Sequence, residues 1–190
     1  MSETGDRTVR DRERERLKAF WEGDRETPFV MERARLDCDC DVLLPTLWSR
    51  VQLVLRSIIL AISRMVPTSG LKSTILRLTG MRIGRDVTVS PGAVIDPLWP
   101  DLIEIADGAV LGLGCRVLTH ECTAEHFRIG KVHIGKGAVV GAGSTVRAGV
   151  RIGQRATVGC NSYVNDDVPE GATVGGVPAR ILKTSGERAG

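Results

Sequence analysis

His120 stands in the run Val117-Leu118-Thr119-His120-Glu121, at the mouth of a stretch that breaks an otherwise regular repeat. A neutral imidazole can take the proton of a hydroxyl while its oxygen attacks a carbonyl, because imidazole ordinarily titrates near ~6.5. A neighbouring acid could orient such a base, but Glu121 points to the opposite face if His120 lies in an extended segment. Asp96 lies twenty-four residues upstream, a distance made of one eighteen-residue turn, a four-residue insertion and two more. Cys122, two residues from His120, has the chemistry for an acyl-enzyme, yet nothing around it marks a nucleophile. The three histidines, His120, His126 and His133, are separated by six and seven residues. Cys38 and Cys40 could form half of a metal site, but no second Cys/His pair follows at zinc-ligand spacing, and two reduced thiols account for them. Cys115 occupies a repeat position where small residues are expected, as does Cys160.

The element that must position these groups is the repeat. Eighteen of the 22 glycines fall in residues 81–190, and only 4% of the chain is aromatic. From Ile134 an aliphatic residue recurs every sixth position through Val140, Val146, Ile152, Val158 and Val164, and Gly135, Gly141, Gly153 and Gly159 follow directly. Four residues after the first five aliphatics come Ala138, Ser144, Val150, Ala156 and Ser162. Earlier turns keep the period in two frames, Ile83, Val89 and Ile95, then Ile105, Leu111 and Val117. Insertions separate the frames, one around Pro97 to Glu104 and a longer one from about His120 to His133.

A six-residue unit holds a short strand and a tight bend and cannot bury its apolar side alone, so units must stack. Three units per turn place Ile134 on Ile152, Val140 on Val158, and Val146 on Val164, with parallel backbones about 4.8 Å apart satisfying one another. The glycine after each aliphatic residue is expected to serve the corners. The chain is therefore mainly β, a triangular solenoid preceded by a helical extension.

Charge is distributed in blocks. Residues 1–42 carry 9 Lys/Arg and 12 Asp/Glu, residues 43–80 carry 5 and none, and residues 81–190 carry 12 and 11. One short basic block without aromatic platforms is not the footprint of a nucleic-acid binder. Residues 1–42 read as a charged extension, a solvated helix or a tail, with Leu17, Phe20 and Trp21 as its first large apolar residues. Residues 43–80 read as an amphipathic helical segment. Arg50, Arg56 and Arg64 interrupt its apolar run, which disfavours a membrane span. At helical spacing Val51, Val54, Leu55, Ile58, Ile59, Ile62, Met65 and Val66 gather on one side and the arginines on the other, except that Leu53 and Leu60 fall among the arginines. The basic face could lie on an anionic membrane surface; the commoner arrangement packs the apolar stripe on its own protein. Pro67 ends this helix, and a second covers Leu71 to Leu78, with Gly80 as its C-terminal cap. An odd cysteine count and an N-terminus without an apolar signal region point to the cytoplasm, with a peripheral place at the inner membrane surface left open.

Residues 81–183 resemble the hexapeptide-repeat acyltransferases, whose fold is a left-handed parallel β-helix. The resemblance is strongest in Val158-Gly159-Cys160-Asn161-Ser162-Tyr163-Val164, Asp167-Val168-Pro169 and Gly175-Gly176-Val177-Pro178-Ala179-Arg180, which resemble the closing coil and tail of the acetyltransferases of sugars and related hydroxyl compounds. Residues 184–190 are left as a flexible tail. The resemblance implies an acetyl-CoA-dependent O-acetyltransferase that needs no metal, a homotrimer with sites in clefts between solenoids, and His120 as general base. It implies Asp96 as a residue of the acceptor pocket. It implies Gly141, Ala142, Gly159 and Cys160 as the groove for the pantetheine arm, and Arg180 and Lys183 as the basic residues that meet the nucleotide phosphates. One departure stands out: Asn165-Asp166 replaces the usual Thr-Lys or similar pair and removes a positive charge. Two other readings share the solenoid, a γ-type carbonic-anhydrase-like zinc protein using the three histidines and a noncatalytic trimeric scaffold.

Overall fold

The computed structural model describes residues 3–23, 25–32, 47–123 and 126–184. Among the described residues, three helices precede the repeat: α1 (Glu3–Glu22), α2 (Leu47–Met65) and α3 (Ser69–Arg77). The repeat itself winds through three parallel faces. The first carries strands Arg82–Ile83, Ile103–Ile105, Val132–Ile134 and Arg151–Ile152. The second carries Thr88–Val89, Val110–Leu111, Val139–Val140, Thr157–Val158 and Thr173–Gly175, and is closed by an antiparallel strand, Arg180–Lys183. The third carries Val94–Ile95, Arg116–Val117, Thr145–Val146 and Tyr163–Val164.

The register is that of the eighteen-residue turn: Ile134 pairs with Ile152, Val140 with Val158, and Val146 with Val164. The ladders extend upward through Ile105, Leu111 and Val117 to Ile83, Val89 and Ile95. Each short strand satisfies its backbone only through the coils above and below. The fold is therefore held by stacked aliphatics and inter-coil hydrogen bonds together. Ala138, Ser144, Val150, Ala156 and Ser162 are all buried, as their small size at the corners requires.

Two kinds of glycine serve the bends, for different reasons. Gly137, Gly143 and Gly149, directly before the buried Ala138, Ser144 and Val150, have φ of 65°, 69° and 81°, in the left-handed region that favours glycine. The glycines that directly follow the ladder aliphatics do not turn that way. A Cβ on Gly135 would lie 2.6 Å from the amide nitrogen of Gln154, and one on Gly141 2.6 Å from the carbonyl oxygen of Val158. They are small so that one coil can close on the next.

Both insertions fold. The first forms the 3-10 turn Pro100–Leu102. The second is a hairpin, His120–Cys122 antiparallel to His126–Ile129, and the N-terminal extension joins it: Phe29–Glu32 adds a third antiparallel strand on the outer side. Phe29, Met31, Trp99, Leu102, Phe127 and Ile129 bury themselves together, with Leu17, Phe20 and Trp21 of the extension packed against them. Residues 25–32 are thus part of the fold, which corrects the expectation of a solvated tail for that stretch. Cys38 and Cys40 lie outside the described residues.

The sequence left open which side of α2 meets the protein. The apolar stripe of α2 does not pack on the protein: Val51, Val54, Leu55, Ile58, Ile62 and Met65 are exposed, while Leu60 and Ser63 are buried. Leu53 and Leu60, the leucines that interrupted the arginine face, belong to the side turned inward.

Candidate active site

His120 opens the hairpin strand that leaves the third face, three residues beyond Val117. Asp96 follows Ile95, which pairs with Val117 on that same face, so the parallel register carries the two segments outward side by side. The Asp96 carboxylate is fully enclosed. Its Oδ2 lies 2.5 Å from His120 Nδ1 and accepts the backbone N–H of Thr119 at 2.9 Å and of His120 at 3.1 Å. Its Oδ1 accepts the N–H of Leu98 at 3.0 Å.

The electrostatics follow from this arrangement. Burial opposes ionisation of Asp96, but the hydrogen bond and charge of His120 and the donated N–H groups of Thr119 and Leu98 together hold its carboxyl below the usual carboxylate range. An ionised carboxylate only accepts, so Nδ1 of His120 carries the proton that faces it. The tautomer is set, and Nε2 is left with the lone pair. The ring is 29% exposed. Trp99, itself buried, meets the ring edge to face with centroids 5.7 Å apart. A carboxylate behind and an indole beside hold the His120 ring, which is no free loop side chain.

Asp96 stands behind His120 instead of opening into a cleft, so its geometry is that of an orienting group rather than an acceptor ligand. Sequence reasoning placed Asp96 by spacing but had no signal for its partner, because the pairing depends on how far the inserted turn at Pro100–Leu102 carries the chain. Trp99 was missed altogether. Its signal was its type: one of 3 tryptophans in a chain with little aromatic content. Glu121 points away from His120 and pairs with Arg147, Nε to Oε2, at 2.5 Å.

The remaining candidates lie elsewhere. Gly141, Ala142, Gly159 and Cys160 occupy the corner between the second and third faces, on successive coils, and a Cβ on Gly141 would meet Cys160 N at 2.7 Å. His120 lies at the other edge of the third face, where the hairpin departs and Gly130 packs against Gly149. Cys160 is exposed, and Gly141 is half-buried with the next coil where a Cβ would stand. Arg180 is exposed at the closing end, 4.0 Å from the carboxylate of Asp166, the residue that departs from the family pattern. Lys183 is half-buried on the closing strand, opposite Thr173. Cys115 is buried in the ladder and its thiol is pushed up to about 11 by burial, as befits a structural position. Cys122 is exposed at the hairpin end. His126 is exposed on the hairpin and His133 faces Glu104 on the first face at 4.0 Å. Among the described residues no group of three His, Cys, Asp or Glu side chains converges on a metal-sized site.

A parallel three-faced solenoid with an Asp-oriented histidine at an insertion defines a class, and the comparisons agree on it. Residues 131–166 match the family described as "Bacterial transferase hexapeptide (six repeats)". The chain is 34% identical over 138 residues to the "Putative acetyltransferase YvoF" of Bacillus subtilis, covering 72% of this chain and 80% of that protein. Among solved structures, the hexapeptide-repeat acetyltransferase VCA0836 of Vibrio cholerae superposes with a TM-score of 0.64 at 20% identity, over 75% of this chain and 95% of that one. The same protein has also been solved with acetyl coenzyme A. A galactoside acetyltransferase in complex with coenzyme A superposes with a TM-score of 0.61 at 14% identity, over 89% of this chain and 90% of the other. The chain belongs to the hexapeptide-repeat acyltransferases, and its solenoid is their left-handed parallel β-helix.

Proposed function

We propose that the protein is an O-acetyltransferase that moves the acetyl group of acetyl-CoA to a hydroxyl of a sugar or a related small molecule, with His120 as general base. The observation that carries this reading is the Asp96–His120 pair at 2.5 Å in a chain of this family. Nε2 takes the acceptor's hydroxyl proton as the oxygen bonds to the thioester carbonyl carbon. The tetrahedral oxyanion collapses, the carbon–sulfur bond breaks, and the departing thiolate takes up the proton from the imidazolium. Asp96 orients the ring and stabilises its charged form, so its place in the reaction is that of a positioning residue. No covalent enzyme intermediate is required.

Acetyl-CoA is the acetyl donor in this reading. Ala142, Gly159 and Cys160 are the small residues at the corner where a pantetheine arm could approach the backbone, and Arg180 and Lys183 supply charge for phosphates. The complexes of VCA0836 with acetyl coenzyme A and of the galactoside acetyltransferase with coenzyme A support it by analogy of fold. Asp166 beside Arg180 weakens the pull on phosphate there, which leaves more of that contact to Lys183.

The small-residue corner and His120 sit at opposite edges of one face, so a single chain does not bring base and donor together. A neighbouring solenoid does, and this favours a homotrimer with sites in the clefts between protomers. The same reading places the protein in the cytoplasm, with a peripheral contact of residues 43–66 at the inner membrane surface.

The deciding experiment is a thiol-release assay with acetyl-CoA across sugars, amino alcohols and amino acids, with metal analysis of the same sample. Release only with hydroxylated acceptors is expected. No release with any acceptor would favour the scaffold reading, and bound zinc with bicarbonate dehydration the carbonic-anhydrase-like one.

A further inference from the structure

The two helices ahead of the solenoid bury one side and leave an aliphatic arc outside. On α2 the inward side is mixed: Leu60 is buried in the core, and Ser63 is buried and donates its hydroxyl to the Leu60 carbonyl at 2.7 Å. Arg56 donates to the Leu98 carbonyl at 3.1 Å and pairs with Asp101 at 3.4 Å. The outward side, Val51, Val54, Leu55, Ile58, Ile62 and Met65, is 39% to 87% exposed. On α3, Lys72 and Ser73 are buried beside Leu76, while Leu71 and, at the C-terminal cap, Leu78 are left 56% and 73% exposed. The Lys72 ammonium has no hydrogen-bond partner, and burial pulls its pKa below the ordinary lysine value. Leu60 and Leu76 already cap the solenoid core, so the aliphatic arc left outside points to a further partner.

Charge identifies the partner. Residues 43–80 contain 5 Lys/Arg and no Asp or Glu. Arg50 and Arg64 border the apolar arc of α2 at helical spacing, and both are exposed. A second copy laid face to face on this arc would set arginine against arginine with no carboxylate on either helix between them. An anionic leaflet offers hydrocarbon to the arc and negative charge to its border. Helix α2 has 19 residues, and no described helix is long and apolar enough to cross a membrane, so the geometry is that of a helix lying in the interface.

We infer that α2 and α3 dock the protein on an anionic bilayer by this outward apolar face, with α2 lying in the plane of the leaflet. The inference builds on the peripheral contact proposed above and reverses its geometry: the aliphatic arc enters the leaflet, while the arginines border it and Arg56 holds the helix to its own protein. It does not depend on the transfer chemistry.

The test is co-sedimentation of the full chain with vesicles of phosphatidylglycerol and phosphatidylcholine and with vesicles of phosphatidylcholine alone, beside the double variant Ile58→Ser/Ile62→Ser. The native chain is expected to sediment with the anionic vesicles, less so as salt rises, and the variant to bind at least about tenfold more weakly. Both changes are at exposed positions, so melting temperature and thiol release with a soluble acceptor should be retained. That separates failure of docking from failure of the acetyl-transfer reading. A native chain that stays in the supernatant with both vesicles, or a variant that binds as well as the native chain, would overturn the inference. So would a variant that dissociates a native oligomer, which would make a second copy the occupant.

Discussion

Asp96 Oδ2 lies 2.5 Å from Nδ1 of His120, and that one contact unites residues separated by a full coil and an insertion. The carboxylate also accepts three backbone N–H groups, two of them from the segment that carries the histidine. Ring orientation, tautomer and local backbone path are thereby set by one buried group.

Replacing His120 with Ala should lower kcat by at least about a hundredfold with little change in melting temperature, because the ring is partly exposed and its removal leaves the ladders intact. Steady-state turnover of acetyl-CoA checks this, and unchanged turnover would remove His120 from the mechanism.

The Asp96→Asn variant should lose kcat by about a hundredfold or more, with KM far less affected, since the amide no longer selects the Nδ1–H tautomer. A pH titration of stability gives an independent readout. The native carboxyl titrates below its unfolded value, so its contribution is fully present above that value and is lost as pH falls through the lower, folded one. Thermal melts below about pH 4 should therefore fall more steeply for the native chain than for Asp96→Asn. Parallel acid profiles would contradict the assignment.

Adjacent small residues at one corner should respond in opposite ways. Gly141→Ala would drive a methyl to 2.6 Å from the Val158 carbonyl and 2.7 Å from Cys160 N, so it should lower the melting temperature. Ala142→Trp should leave folding closer to native and impair CoA binding, measured by calorimetry. Native CoA affinity in the tryptophan variant would mean that the groove lies elsewhere.

Cys115 offers a test of the interior. Its buried thiol is held neutral up to about 11, above its unfolded value, so stability should decline as pH rises from about 9 toward that figure while the unfolded chain ionises and the folded one does not. Cys115→Ala should flatten this alkaline limb in melts followed by circular dichroism. An unchanged slope would show that the thiol does not contribute to it.

The solenoid was legible because a six-residue period leaves one way to bury its aliphatics. Ile134 on Ile152, Val140 on Val158 and Val146 on Val164 are consequences of counting to eighteen. The insertions were legible as breaks, and His120 as a residue at the larger break. Their shapes were not, since neither Pro97 to Glu104 nor the hairpin carries a periodicity that names its neighbour. The corner glycines illustrate the same divide: their number pointed to bends, but only packed coils separate Gly143, which needs its positive φ, from Gly141, which needs its lack of a side chain.

By itself, then, the sequence determined the repeat and its register, because both follow from local spacing, while the family was legible only through the resemblance of its closing coil. The tertiary structure alone decided that Asp96 orients that histidine, that Trp99 packs on it and that Phe29–Glu32 extends the hairpin. It alone decided that α2 turns Arg56, Leu60 and Ser63 inward and its aliphatic arc out. An amphipathic wheel divides a helix into two faces, but which face meets the protein depends on the partners waiting there, here the Leu98 carbonyl and Asp101 for Arg56.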